Sequence, residues 1–177
     1  LLMVRGVAST LEKHHRVQVL DEALEVLLTR FWDAEHGMVV EEWDESFTTL
    51  DAYRGVNANM HGVEALMATA DVTGDHAWRE RALGISRRVA LEFAQPHSWR
   101  IPEHFYAEWR PQLEHNRDRP DDQFQPYGAT VGHGLEWSRL LLHLEASLAD
   151  PPEWLLPAAK GLFDRAVADG WAVDGAD

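Results

Sequence analysis

The sequence has no cysteine, which excludes a disulfide framework, a thiolate nucleophile and a zinc–thiolate site. It has no apolar run long enough to span a bilayer and no recognisable signal peptide. Basic residues are scarce: 16 Lys and Arg stand against 30 Asp and Glu, a formal net charge of −14. That balance argues against nucleic acid or an anionic membrane surface as a partner. No serine lies in a nucleophile-elbow glycine pattern, and no Gly-rich loop could cradle a phosphate. The expectation is a water-soluble cytoplasmic protein.

What is present is helical. Apolar residues Val17, Leu20, Leu24, Leu27, Leu28 and Phe31 recur at helical spacing and predict a helix over about 15–32. The period is then lost from Asp33 to Tyr53, where "HGMVVEEW" reads as a short strand behind a Gly37 turn. A second helix is expected to begin near Asn57, with asparagine as its cap and Met60, Val63, Leu66, Met67 and Ala70 as its stripe. "TGD" at 73–75 is a turn, and Asp75 is a plausible cap for a third helix. That helix turns Trp78, Ala82, Ile85, Val89 and Phe93 inward and its arginines outward. The pair makes an αα-hairpin.

Residues 95–130 form a second irregular stretch, rich in proline but too aromatic for disorder, in which "HFYAEW" reads as a strand. A fourth helix is expected from Val131 to Ala149, and a fifth from "DPPEW" to Asp169, stopped by Gly170. Two units repeat across this plan. "NMHGVEALMATA" (59–70) and "VGHGLEWSRLLL" (131–142) each follow an insertion with His-Gly-aliphatic-Glu at a helix start. A helical-hairpin repeat with its insertions gathered on one face follows, and it brings His61 and His133 to one mouth.

Of the ten histidines, His14, His15, His36, His76, His97, His115 and His143 sit in polar or loop contexts and read as surface or structural. His104 is undecided. His133 heads the inward stripe His133, Trp137, Leu140, Leu144, and Glu136 one turn on is available to flank it. A satisfied core histidine and a site histidine both fit that pattern. His61 and Glu64 flank their own stripe, as either a solvated helix start or part of a shared polar pocket.

A di-metal carboxylate site would need Glu-x-x-His order and two further inward carboxylates, so no metal is expected, and no other cofactor. What remains is acid–base chemistry by neutral histidine within aromatic walls, an arrangement suited to sugar rings and hydroxyls.

At these residues the sequence resembles a known family. "RGVNANMHGVEALMATADVTGD" (54–75) and "QPYGATVGHGLEWSRLLL" (125–142) resemble the N-acylglucosamine 2-epimerase superfamily. The tryptophan after "GHGLE" and the "ANMHGVEA" wording look most like its D-mannose isomerase and sulfoquinovose isomerase branch. The resemblance implies an all-α (α/α)6 barrel, with residues 1–177 part of one such domain and only its middle portion. It implies an aldose–ketose isomerase of the mannose-to-fructose type acting on a monosaccharide. A sugar 2-epimerase and a non-catalytic carbohydrate-binding protein are the alternatives. Carried over by position, His133 matches a catalytic acid/base, Glu136 the acid beside it, and Asn57 and His61 sugar-contacting residues. Two departures stand out: a second catalytic histidine of the relatives has no match here, and Gln125 stands where many carry a basic residue. Oligomeric state is not legible in the sequence.

Overall fold

A computed structural model describes residues 13–171; the side chains of His14, His15 and Val17 lie outside what it describes. Among the described residues five α-helices carry the fold: α1 (Lys13–Val26), α2 (Val56–Thr73), α3 (Ala77–Arg87), α4 (Val131–Ser147) and α5 (Leu155–Gly170). Four two-residue strands lie in the insertions: β1 (Trp32–Asp33), β2 (Met38–Val39), β3 (Arg54–Gly55) and β4 (His104–Phe105). Helix α1 runs into a wider π-helical turn at Leu27–Phe31, and α3 does the same at Arg88–Ala94.

The stripes read from the sequence form the core. Met60, Val63, Leu66 and Ala70 of α2 are buried with Trp78, Ala82 and Ile85 of α3 and Val89 and Phe93 beyond it. Trp137, Leu140, Leu141 and Leu144 of α4 meet Leu155, Ala158, Ala159 and Leu162 of α5 in the same cluster. Leu24, Leu27 and Phe31 pack on its edge, whereas Leu28 faces solvent. At the α2–α3 turn, Gly74 takes a left-handed conformation. The cap position of α3 is His76 rather than the expected Asp75, whose Oδ1 accepts the Ala77 N–H at 2.9 Å from one residue further ahead.

The glycines of the repeated unit are packing devices. A Cβ on Gly62 would stand 3.1 Å from Val39 Cγ2, and one on Gly134 would stand 3.1 Å from the Ala166 Cβ of α5. Each glycine lets a neighbouring element approach its helix closely.

The insertions are ordered by pairing. Strands β1 and β2 form a hairpin, Trp32 opposite Val39, turned by Gly37 at φ 64°. Strands β3 and β4 pair antiparallel, Gly55 opposite His104, and so join the first insertion to the second. Asn59 secures this junction from inside α2. Its Oδ1 accepts the Val39 N–H at 2.8 Å, while Nδ2 donates to the carbonyls of Val39 and Gly55. In the second insertion Phe105 is buried on Phe93 and Trp109 on Phe105, while Tyr106, Phe124 and Tyr127 face solvent.

Another expected cap also fails. Asn57 does not cap α2; the cap position is Gly55, and Asn57 is an exposed residue in the first turn. Pairing of Gly55 with His104 holds the chain extended up to that residue, so the helix starts directly after it.

Candidate active site

Both helices of the repeated unit begin at one residue of the second insertion. Glu103 is buried, and its backbone carbonyl accepts the N–H of Val56, the first residue of α2, at 3.0 Å. Its side-chain Oε1 accepts the N–H of Thr130, the cap position of α4, at 3.0 Å. Its side chain thus meets the N-terminus of α4 and its backbone the N-terminus of α2.

Its second oxygen completes a dyad. Glu103 Oε2 lies 2.9 Å from Nδ1 of His133, in the first turn of α4, whose side chain is only 25% exposed. An ionised carboxylate only accepts, so Nδ1 carries the proton and Nε2 of the neutral ring is left with a lone pair. The hydrogen bond that His133 donates to Glu103 raises the proton affinity of His133 above the usual histidine value. Burial opposes this, and the charges of Glu103 and Glu136 reinforce it.

Glu136 therefore does not hold His133 as the spacing suggested. It is exposed, acts on the imidazole only through its charge, and leaves the hydrogen bond to Glu103. The other unit is built differently. His61 is 61% exposed, its Nδ1 3.1 Å from Glu64 Oε2. Glu64 Oε1 accepts from Arg139 of α4 at 2.7 Å. Burial raises the Glu64 carboxyl, but His61 and Arg139 outweigh it and hold it below the ordinary value. This bridge ties α2 to α4 side by side. It brings the two units together through Glu64 and Arg139, and no hydrogen bond joins His61 to His133 among the described residues.

Several functional candidates escaped the sequence reading. The Tyr53 hydroxyl donates to His104 Nδ1 at 2.7 Å, and His104 Nε2–H donates to the Pro126 carbonyl at 2.7 Å. That arrangement fixes a neutral tautomer, and burial accordingly lowers the proton affinity of His104. Burial, with Glu41 and Glu103 nearby, keeps Tyr53 protonated well above its usual range. The His115 ring stacks 4.4 Å from His104, and His115 Nε2 donates to Gln125 Oε1 at 2.9 Å. His115 thus belongs to a half-buried cluster rather than to the surface. The cluster clamps residues 125–126, a few residues ahead of His133.

Glu41, in the first insertion, reaches the start of α2, where a Cβ on Gly55 would collide with its carboxyl. Burial pushes its pKa up to about 7, against the pull of the Ala58 N–H and of Arg54. "IPEHF" was the available signal for Glu103 and His104, two ionisable residues within an otherwise apolar stretch.

A concavity of about 320 Å³ lies behind the strand, lined by Ile101, Pro102, Glu103, His104, Gln112 and Gly128. His133 does not line it, so it meets the dyad only through Glu103. Among the described residues, no group of three or more His, Asp or Glu is placed to hold a metal ion, and no helix is long and apolar enough to cross a membrane.

Paired helices opening on a buried carboxylate–histidine dyad define the chain as an α-hairpin protein with acid–base equipment at its helix mouths. It belongs to the N-acylglucosamine 2-epimerase (GlcNAc 2-epimerase) family, whose model matches residues 1–176. It is 49% identical over 160 residues to a D-mannose isomerase of Thermobifida fusca, covering 90% of this chain and 39% of that protein. A D-mannose isomerase of Pseudomonas cannabina pv. alisalensis is 43% identical over 162 residues, covering 89% and 39%. A D-mannose isomerase crystal structure superposes with a TM-score of 0.85 at 33% identity, covering 91% of this chain and 41% of that one. The chain thus spans about two fifths of the relatives it matches. A cellobiose 2-epimerase from Spirochaeta thermophila shares the fold, with a TM-score of 0.69 at 19% identity. The fold is that of the (α/α)6 barrel, of which this chain forms a portion.

Proposed function

We propose that this chain supplies part of the catalytic cup of an aldose–ketose isomerase that converts a mannose-like hexose to its ketose. The observation that carries the reading is the Glu103–His133 dyad at the mouth of α4, with Nε2 left for a substrate proton. Similarity to D-mannose isomerases supports the choice of sugar. Once the sugar ring has opened, isomerisation removes a proton from C2, passes through an enediol and returns a proton to C1. His133 exchanges that proton, with an imidazole whose pKa the hydrogen bond to Glu103 raises above the ordinary value of about 6.5. Glu136 stands one turn on as an exposed negative charge that favours the imidazolium. Asn57 and His61, exposed on the first turns of α2, contact sugar hydroxyls.

In this reading residues 1–177 are part of a single barrel domain, in a cytoplasmic protein whose partner is a monosaccharide. The family's epimerase members favour one rival: a 2-epimerase would return the proton to C2 rather than C1. Incubation of the intact enzyme with mannose separates these readings. Fructose is the expected product; glucose as the sole product would establish epimerisation, and mannose binding without turnover would leave a carbohydrate-binding protein.

A further inference from the structure

Glu103 holds a position that neither its local sequence nor the repeat accounts for. It is the only carboxylate hydrogen-bonded to His133 among the described residues, at 2.9 Å, and it comes from 30 positions upstream. Its own orientation is fixed three ways. Oε1 is held by the Thr130 N–H, its backbone carbonyl by the Val56 N–H, and its side chain is only 4% exposed. A group so immobilised imposes its geometry on its neighbour.

We propose that Glu103 is the positioning residue of the reaction: by accepting the His133 Nδ1 proton it sets the imidazole tautomer and aims Nε2 at the sugar. The proposal rests on the reading of His133 as the proton-exchanging group. Glu103 itself touches no reacting atom. When Nε2 takes the C2 proton, the electron pair of the C2–H bond forms the C1–C2 double bond, the carbonyl pair moves onto O1 to give an enediolate, and the imidazole becomes a cation. Glu103, already hydrogen-bonded to Nδ1, stabilises that cation without having to move. A proton passes from O2 to O1, and delivery of the former C2 proton to C1 then forms the C2 carbonyl and restores the neutral ring with Nδ1 still protonated. Two carboxylates influence the imidazole, Glu103 by contact and exposed Glu136 by charge, and both favour the cation.

Substitution of Glu103 by Gln reverses the direction of one hydrogen bond. The amide oxygen can still accept from Thr130, which leaves the amide NH2 directed at His133 Nδ1. A donor there selects the Nε2–H tautomer, which cannot take a proton at Nε2. The test compares wild type, Glu103→Gln and Glu103→Asp in the intact enzyme by 15N NMR of the His133 ring and by pH–rate profiles on mannose.

In wild type, Nδ1 should be the protonated nitrogen at high pH. In Glu103→Gln the proton should move to Nε2, and His133 should titrate at lower pH. kcat should fall about 10–100-fold or more with KM little changed, and the acid limb of the profile should shift to lower pH. Glu103→Asp should restore the tautomer and part of kcat. Unchanged tautomer and titration in Glu103→Gln, whatever its melting temperature, would overturn the proposal. The ring spectra are read without substrate. The expected tautomer change in an enzyme that turns over no aldose would therefore support the positioning geometry while removing the isomerase reading.

Discussion

Glu41 offers a stability experiment whose sign is set by structure alone. Its carboxyl is half-buried against Gly55 at the start of α2, and burial raises its pKa from 4.5 to about 7. The folded protein therefore binds this proton more tightly than the unfolded chain. Stability from that proton is fully present below about pH 4.5 and is lost as pH rises through about 7. A tenfold change in proton affinity is worth about 1.4 kcal/mol. Between about pH 5.5 and about pH 8.5 the loss would be on the order of 2 kcal/mol in a dry site. Glu41 retains contact with solvent, and screening reduces this to about 1 kcal/mol.

Glu41→Gln keeps the shape and removes the titration. Urea unfolding of parent and variant at the two pH values isolates Glu41, because every other titrating group is common to both proteins. The variant should gain on the parent by about 1 kcal/mol on going to the higher pH, or about 2–4 °C in Tm for a chain of this size. A gap between the proteins that stays constant with pH would refute the reasoning. It would mean that the α2 N-terminus and Arg54 compensate the buried charge in full.

The remaining predictions concern the dyad, the sugar contacts and the junction. His133→Gln should lower kcat about 10²–10⁴-fold and leave the binding of an unreactive sugar alcohol nearly unchanged; near-normal kcat would remove His133 from the mechanism. His61→Ala should act mainly on KM, as a hydroxyl contact common to ground and transition states does, and a pure kcat effect would contradict its exposed placement. Asn59→Ala strands the buried N–H and carbonyl of Val39 and should cost about 2–4 kcal/mol, measurable by denaturant titration; a loss below about 0.5 kcal/mol would show that the junction does not depend on it.

The helices were legible because their stripes run over several turns. Trp78, Ala82 and Ile85, or Trp137, Leu140 and Leu144, can be buried only in helical form. What periodicity could not carry was anything fixed across the chain. Asn57 looked like a cap because asparagine favours that position, but a strand partner nearly 50 residues away decided where α2 starts. Glu136 looked like the partner of His133 because residues three apart are neighbours on a helix. The actual partner sits just ahead of a two-residue strand, in an irregular stretch that gave no period to read. His115 looked like a loop histidine, yet Tyr53 and His104 lie beside it through folding of two separate insertions.

The repeated His-Gly-x-Glu unit divides accordingly between scaffold and chemistry. Its glycine serves packing in both copies, against Val39 in one and Ala166 in the other. Its glutamate serves assembly in the first copy, where Glu64 bridges to Arg139, and stands free of hydrogen bonds to His133 in the second. Only the histidine is left to differ in kind, and what makes it differ is the insertion ahead of it. The first insertion brings Glu41 to the start of α2, where burial keeps it protonated up to near neutrality, and His61 stays exposed. The second brings Glu103 to the start of α4, where it is hydrogen-bonded to an imidazole and raises that imidazole's proton affinity. Two copies of one helical unit thus acquire different proton chemistry from the loops that precede them. Exchange of a loop carboxylate should accordingly change reactivity at His133 more than exchange of the unit's own glutamate, which places Glu103→Gln below Glu136→Gln in kcat. The reverse order would return the chemistry to the helix.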